Sequence, residues 1–174
     1  MERWKPPVML LRPYENLVNI DLEDTHLPGV NLEGACLEGA TLENANLANA
    51  NLAGVNVQGA NLSGANLWGA TLEGANMTGV LFWITLLMEA NLAGANLKNA
   101  LMTRVDLFGA DLTGANLTGA NLTGANLTNT NFTGANLTGI DLTGVDLRAA
   151  NHLTPAQYQS AVLRGTRLPD TEAG

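Results

Sequence analysis

The sequence predicts an all-β solenoid, and three observations carry that prediction. An apolar residue recurs at every fifth position from Leu17 to Leu147, giving twenty-seven consecutive centres without an insertion or deletion. Two places before each centre stands a small or β-branched residue, usually Ala, and between them a polar one, usually Asn or Asp. Ala-Asn-Leu is therefore in–out–in, the alternation of a very short strand with one buried face. The second residue after the centre is Gly or Asn in 22 of the 27 repeats. Those types tolerate the positive φ that a type II turn demands at its third residue. A helix is excluded, because the period is five rather than 3.6 and Gly at every fifth place would be costly.

The elements follow in chain order. An open solenoid exposes unpaired edges, so residues 1–14 are expected to cover the first coil, with Trp4 and Val8–Leu11 lying over it. Residues 15–151 form the array. Its centres are Leu apart from Val57, Met77, Phe82, Met102 and Phe132, and its second corners depart from Gly or Asn at Asp24, Ile84, Glu89, Arg104 and Ala149. The interior is leucine stacked on leucine, represented by Leu47, Leu67, Leu87, Leu107, Leu117 and Leu127, with Ala between. The phrase fails at His152, and residues 152–174 form a helical cap and tail. Thr154 and Gln157 have capping-box spacing, Pro155 suits the first helical position, and Gly165 suits the end. A helix from Pro155 to Arg164 is predicted, turning Tyr158, Ala161 and Val162 to the last coil, with residues 170–174 frayed.

The phrase Ala115-Asn116-Leu117-Thr118-Gly119 and its tandem copies resemble those of the pentapeptide repeat proteins over residues 15–151. The resemblance implies a right-handed quadrilateral β-helix with four repeats per coil. Residues twenty apart would then stack in columns about 4.8 Å apart, giving about seven coils and a rod roughly 33 Å long. It also implies a C-terminal capping helix and, as in some members, a homodimer through that end.

Composition bounds the function. The 174 residues suit one domain, 46% of them are apolar, and the formal net charge of −8 disfavours direct binding to nucleic acid. A lone Cys36 allows no internal disulfide, and the apolar run Val8–Leu11 is too short for a signal peptide or a membrane span. A soluble cytoplasmic protein is expected, without membrane contact. Catalysis, cofactor and metal are not expected. His26 and Cys36 lie ten residues apart, on opposite faces of a four-sided coil, and His152 falls at the cap. Nothing resembles a nucleophile–base pair or a phosphate cradle.

Three surface features carry the functional readings. Between Pro13 and Leu97 there are nine acids and no Lys or Arg; Glu33, Glu38 and Glu43 take the same corner position on successive faces, with Glu73 two coils beyond Glu33. The family includes acidic rods that imitate B-DNA towards DNA gyrase, and this charge makes such mimicry the alternative reading; acids that keep a repetitive β-protein soluble explain it too. Trp68, Met88 and Phe108 recur at twenty-residue intervals, and Leu81, Trp83, Ile84, Leu86 and Leu101 replace polar or corner residues beside them. This run admits a partner or self-association patch, a bulge that folds it inward, or a seam between two joined repeat blocks. The first reading, a protein-interaction rod with an unknown protein partner, is preferred. Thr at every first corner from Thr113 to Thr143 is better explained by repeat duplication than by an ice-binding plane, because it appears on all four faces in single file.

Overall fold

A computed structural model describes residues 11–169, and the chain winds through them as a stack of short bridged segments and tight corners. From Asn16 to Asn121 each outward residue forms a parallel bridge with the residue twenty further on, as in Asn56↔Asn76 and Asn76↔Asn96. Four corners separate one bridge from the next in its column.

One pentad accounts for all five of its amides, which is why the period cannot drift. Asn96 N–H donates to Ala75 O at 2.9 Å in the coil before, and Leu97 N–H to Asn116 O at 2.8 Å in the coil after. Ala100 N–H closes the turn on Leu97 O at 3.0 Å, and Asn99 N–H reaches Thr118 O in the next coil at 3.0 Å. The remaining amide, Lys98 N–H, donates to the side-chain oxygen of Asn96 at 3.3 Å. Asn and Asp recur at the outward position because their oxygen accepts the first corner amide, which has no backbone partner in the turn. The same side chains climb the rod as a ladder, Asn76 Nδ2 donating to Asn56 Oδ1 at 2.9 Å and Asn116 Nδ2 to Asn96 Oδ1 at 3.2 Å.

Second corners from Asn19 to Gly144 all have positive φ. The centres point to the axis: Leu47, Leu67, Leu87, Leu107, Leu117 and Leu127 are all buried, as are Phe82 and Phe132. Burying each such side chain stabilises the fold by roughly 1.5–3 kcal/mol. Thr85 and Thr130 are the buried polar side chains among the described residues, and each hydroxyl donates to a leucine carbonyl of an earlier coil, Leu62 O and Leu107 O, at 2.8 Å.

The ends differ from expectation. At the start, most of the predicted cover lies outside the described residues, though Leu11 is buried. The stack begins one corner early: Tyr14, at φ 59°, donates its N–H to Glu33 O at 2.7 Å in the pattern of later corners. At the far end the register slips by one residue, Asn129 N–H donating to Ala149 O at 2.7 Å, and Ala149 lacks the positive φ of the other corners.

Helix α1 spans Pro155–Tyr158 only, rather than running to Arg164. Gln157 Oε1 accepts the Thr154 N–H at 2.9 Å, the half of the capping box that ties its ends. Gln157 Nε2 then donates to Phe132 O and Ala135 O, at 2.8 and 3.1 Å, stitching the turn to the last coil with Tyr158 buried beneath it. Val162 is not on a helical face. It bridges Asp141, and Arg167 bridges Asp146, so the chain rejoins the stack twenty-one residues on. The reason is legible afterwards: Ala161-Val162-Leu163-Arg164-Gly165 is itself a pentad, with Gly165 at φ 66° as its corner, and coil hydrogen bonds replace a helix too short to persist alone. Residues 170–174 lie outside the described residues.

Candidate interaction surface

The solenoid interior is filled by its own side chains, so the surface carries whatever chemistry the chain offers. Along 81–89 the coil register is unbroken: Asn61↔Leu81↔Leu101 and Asn66↔Leu86↔Asp106 bridge in sequence, and Gly64 N–H meets Trp83 O at 2.9 Å. The inward-folded bulge is thereby overturned, because the centres Phe82 and Leu87 already occupy the axis. The displaced residues point outward. Trp83 is 56% exposed, Leu101 49%, Ile84 45% and Trp68 42%; Leu81, Leu86 and Phe108 are also exposed. Met88 is half-buried, held in one corner column between Trp68 and Phe108 by Gly69 N–H to Met88 O and Glu89 N–H to Phe108 O, at 2.9 and 2.8 Å. The result is an apolar area spread over two successive faces and two corner columns.

Two local costs accompany it. Leu81, Leu86 and Leu101 have no oxygen to accept the amides of Trp83, Met88 and Thr103, so three corners lose the Asn-type bond. Ile84, Glu89 and Arg104 sit at φ 53°, 58° and 56°, a conformation that Gly or Asn fills at the other corners of the array apart from Asp24. For a β-branched residue that backbone is strained. The three leucines and Ile84 all belong to this patch.

Below Trp83 and Ile84, the small Ser63 and Gly64 leave a notch of about 190 Å³, floored by Glu43 and Asn44. The notch was missed in the sequence; its signal is a Ser-Gly corner twenty residues before a Trp-Ile corner.

The acids do not form one row. Glu33, Glu38 and Glu43 stand on three different corners of one coil. Glu33 accepts the Tyr14 hydroxyl at 2.7 Å and Asn51 Nδ2 at 3.3 Å, and the bond to the carboxylate holds the phenol pKa above its ordinary value. Glu43 accepts Asn61 Nδ2 at 3.2 Å. Glu73 is likewise an exposed first-corner residue. Beyond Leu97 the balance changes, with Lys98, Arg104, Arg148, Arg164 and Arg167 all in the later coils. There Arg148 chelates Asp146 at 2.6 and 2.9 Å, which drives that carboxyl far below the ordinary range, and Arg167 lies 3.6 Å away.

The remaining candidates have structural partners. His26 Nδ1 and Asn46 Nδ2 lie 3.2 Å apart, Cys36 Sγ accepts from Asn56 Nδ2 at 3.8 Å, and the two belong to different columns. His152 sits at φ 53° where the array ends. Thr118 and Thr138 hydroxyls each donate to the preceding Asn side chain at 2.7 Å, so these two complete their corners. Among the described residues no helix is long and apolar enough to cross a membrane, and no three His, Cys, Asp or Glu gather as a metal set.

Comparison with known proteins matches residues 16–44, 42–79, 85–124 and 110–148 to the family model described as pentapeptide repeats (8 copies). Among solved structures, a trypsin-treated form of QnrB1, a plasmid-mediated fluoroquinolone resistance protein, is 20% identical with a TM-score of 0.54, over 91% of this chain and 92% of that one. HetL of Nostoc sp. strain PCC 7120, a protein involved in heterocyst differentiation regulation, is 27% identical over 92% of this chain and 87% of that one, with a TM-score of 0.36. A pentapeptide repeat protein of the Arabidopsis thaliana thylakoid lumen is 33% identical over 71% of this chain and 65% of that one, with a TM-score of 0.27. No curated protein matches the chain.

Proposed function

The chain belongs to the pentapeptide repeat family, and from that premise we propose that it is a non-enzymatic interaction rod that binds a protein through the Trp68–Phe108 patch. In this reading the coil is a right-handed quadrilateral of four pentads, about seven coils long, which the twenty-residue bridge spacing supports. The turn Pro155–Tyr158 covers the end of the last coil, and the reducing cytoplasm suits the chain's single thiol, Cys36. The observation that carries the proposal is the outward apolar surface on an unbroken register, kept although it strains Ile84. Ile84 is the one β-branched residue at a positive-φ corner among the described residues, and strain kept there points to a use for the side chain. Trp68→Ser with Trp83→Ser is expected to leave the melting temperature within a few degrees and to remove oligomers or co-purifying partners. Unchanged oligomeric state, solubility and partners in that variant would sink the proposal.

The alternative is an acidic B-DNA mimic acting on DNA gyrase. The acid-only coils with Glu33, Glu38, Glu43 and Glu73 favour it; their scatter over several corners and the basic later coils weigh against it. A supercoiling assay decides: the interaction reading expects no inhibition of gyrase and no relief from fluoroquinolones at micromolar protein, and either effect would favour mimicry.

A further inference from the structure

The corner that carries Trp83 and Ile84 has a definite order along the rod. Glu23-Asp24, Glu43-Asn44, Ser63-Gly64, Trp83-Ile84 and Thr103-Arg104 follow one another, linked by Asp24 N–H to Glu43 O, Asn44 to Ser63, Gly64 to Trp83 and Ile84 to Thr103, at 2.9, 2.9, 2.9 and 3.2 Å. Acidic, small, large apolar and basic residues thus succeed one another in a single column. We propose that this surface binds a second copy of the chain, antiparallel and side by side, about a two-fold axis crossing between the coils of Gly64 and Ile84. The proposal rests on the patch being an interaction surface and names its occupant.

A two-fold axis lying in the contact plane across the rods reverses order along the rod and keeps position across it. Each coil above the axis therefore faces the coil equally far below it on the other copy. Trp83-Ile84 falls opposite Ser63-Gly64, where the notch of about 190 Å³ lies. One coil outward, Arg104 falls opposite Glu43-Asn44. Neither Arg104 nor Glu43 has an ion-pair partner among the described residues. On the neighbouring corner Met88 falls opposite Trp68, a sulfur–aromatic contact.

Large meets small and basic meets acidic at successive steps. A parallel two-fold keeps each coil at its own height, so Trp83-Ile84 would not meet Ser63-Gly64 and neither notch would be filled. The strained corners fit the same account, since Ile84 and Arg104, both at positive φ, are the knob and the cation of the contact.

Sedimentation equilibrium of the full chain tests the proposal. At about 100 µM, far above the dissociation constants of stable standard-size interfaces, the wild type is expected at twice the 18.2 kDa chain mass. Arg104→Glu and Glu43→Arg are each expected to weaken association about tenfold or more, and the two together to restore it. Ile84→Gly is expected to loosen the dimer while raising the melting temperature, so that loss of association cannot be mistaken for misfolding. A dimer indifferent to Arg104→Glu, or one not rescued by the exchanged pair, overturns the proposal. A monomeric wild type overturns it too. In that case, a partner lost from Trp68→Ser with Trp83→Ser leaves the interaction reading standing, whereas no change in that variant removes both.

Discussion

Leu117→Ala is expected to lower the unfolding free energy by about 2–5 kcal/mol. Leu117 is fully buried, and its N–H is fixed to Asn136 O at 2.8 Å. Collapse into the cavity would require a coil to move, and the coils above and below hold it through backbone bonds at every face. The loss therefore belongs at the upper part of the range seen for leucine truncation. Because each coil touches only its neighbours, the deficit is local and the coils around Leu117 should become the first to open. Urea unfolding of wild type and variant measures it; a loss under about 1 kcal/mol would contradict an axial position for this side chain.

Asn96→Pro should cost about 3 kcal/mol or more, through the backbone rather than the core. It removes the 2.9 Å bond from Asn96 N–H to Ala75 O and the acceptor of the Lys98 amide. It also breaks the ladder, since Asn96 Nδ2 donates to Thr78 Oγ1 at 2.9 Å and Asn96 Oδ1 accepts from Asn116. Asn96→Asp keeps the corner acceptor and loses only the side-chain donor, so its cost should stay near 1 kcal/mol. Equal stabilities for the two variants, again by urea unfolding, would mean that the outward residue does not seal the corner amide.

Much of this architecture was legible because each pentad repeats every requirement. Leu points inward, Ala leaves room, and Gly or Asn accepts positive φ, so one phrase read correctly is read many times. The position of Trp83, Ile84 and Leu86 on the outside was also legible, from the phase of Phe82 and Leu87 alone. Three things were not. The task of Asn96 and its equivalents was read no further than an outward polar position, although Asx-type acceptance ahead of a turn is the ordinary use of that side chain. The chain after His152 looked helical because Thr154, Pro155, Gln157 and Gly165 are helix signals. The pentad Ala161–Gly165 competes for the same residues and wins, since it joins an existing stack. The notch at Ser63-Gly64 needs two residues twenty apart to be compared, and composition along the chain does not display it. Glu33, Glu38 and Glu43 stand on successive corners, which spreads them around the rod rather than along it.

The twenty-residue register is the claim on which every column, notch and ladder depends. Scalar coupling across backbone hydrogen bonds, measured by NMR on labelled protein, tests it directly. The amide nitrogen of Leu117 should couple to the carbonyl carbon of Asn136, and that of Leu97 to Asn116. Coupling of Leu117 to the residue four places earlier, or to any carbonyl at another spacing, would contradict the stacked coil.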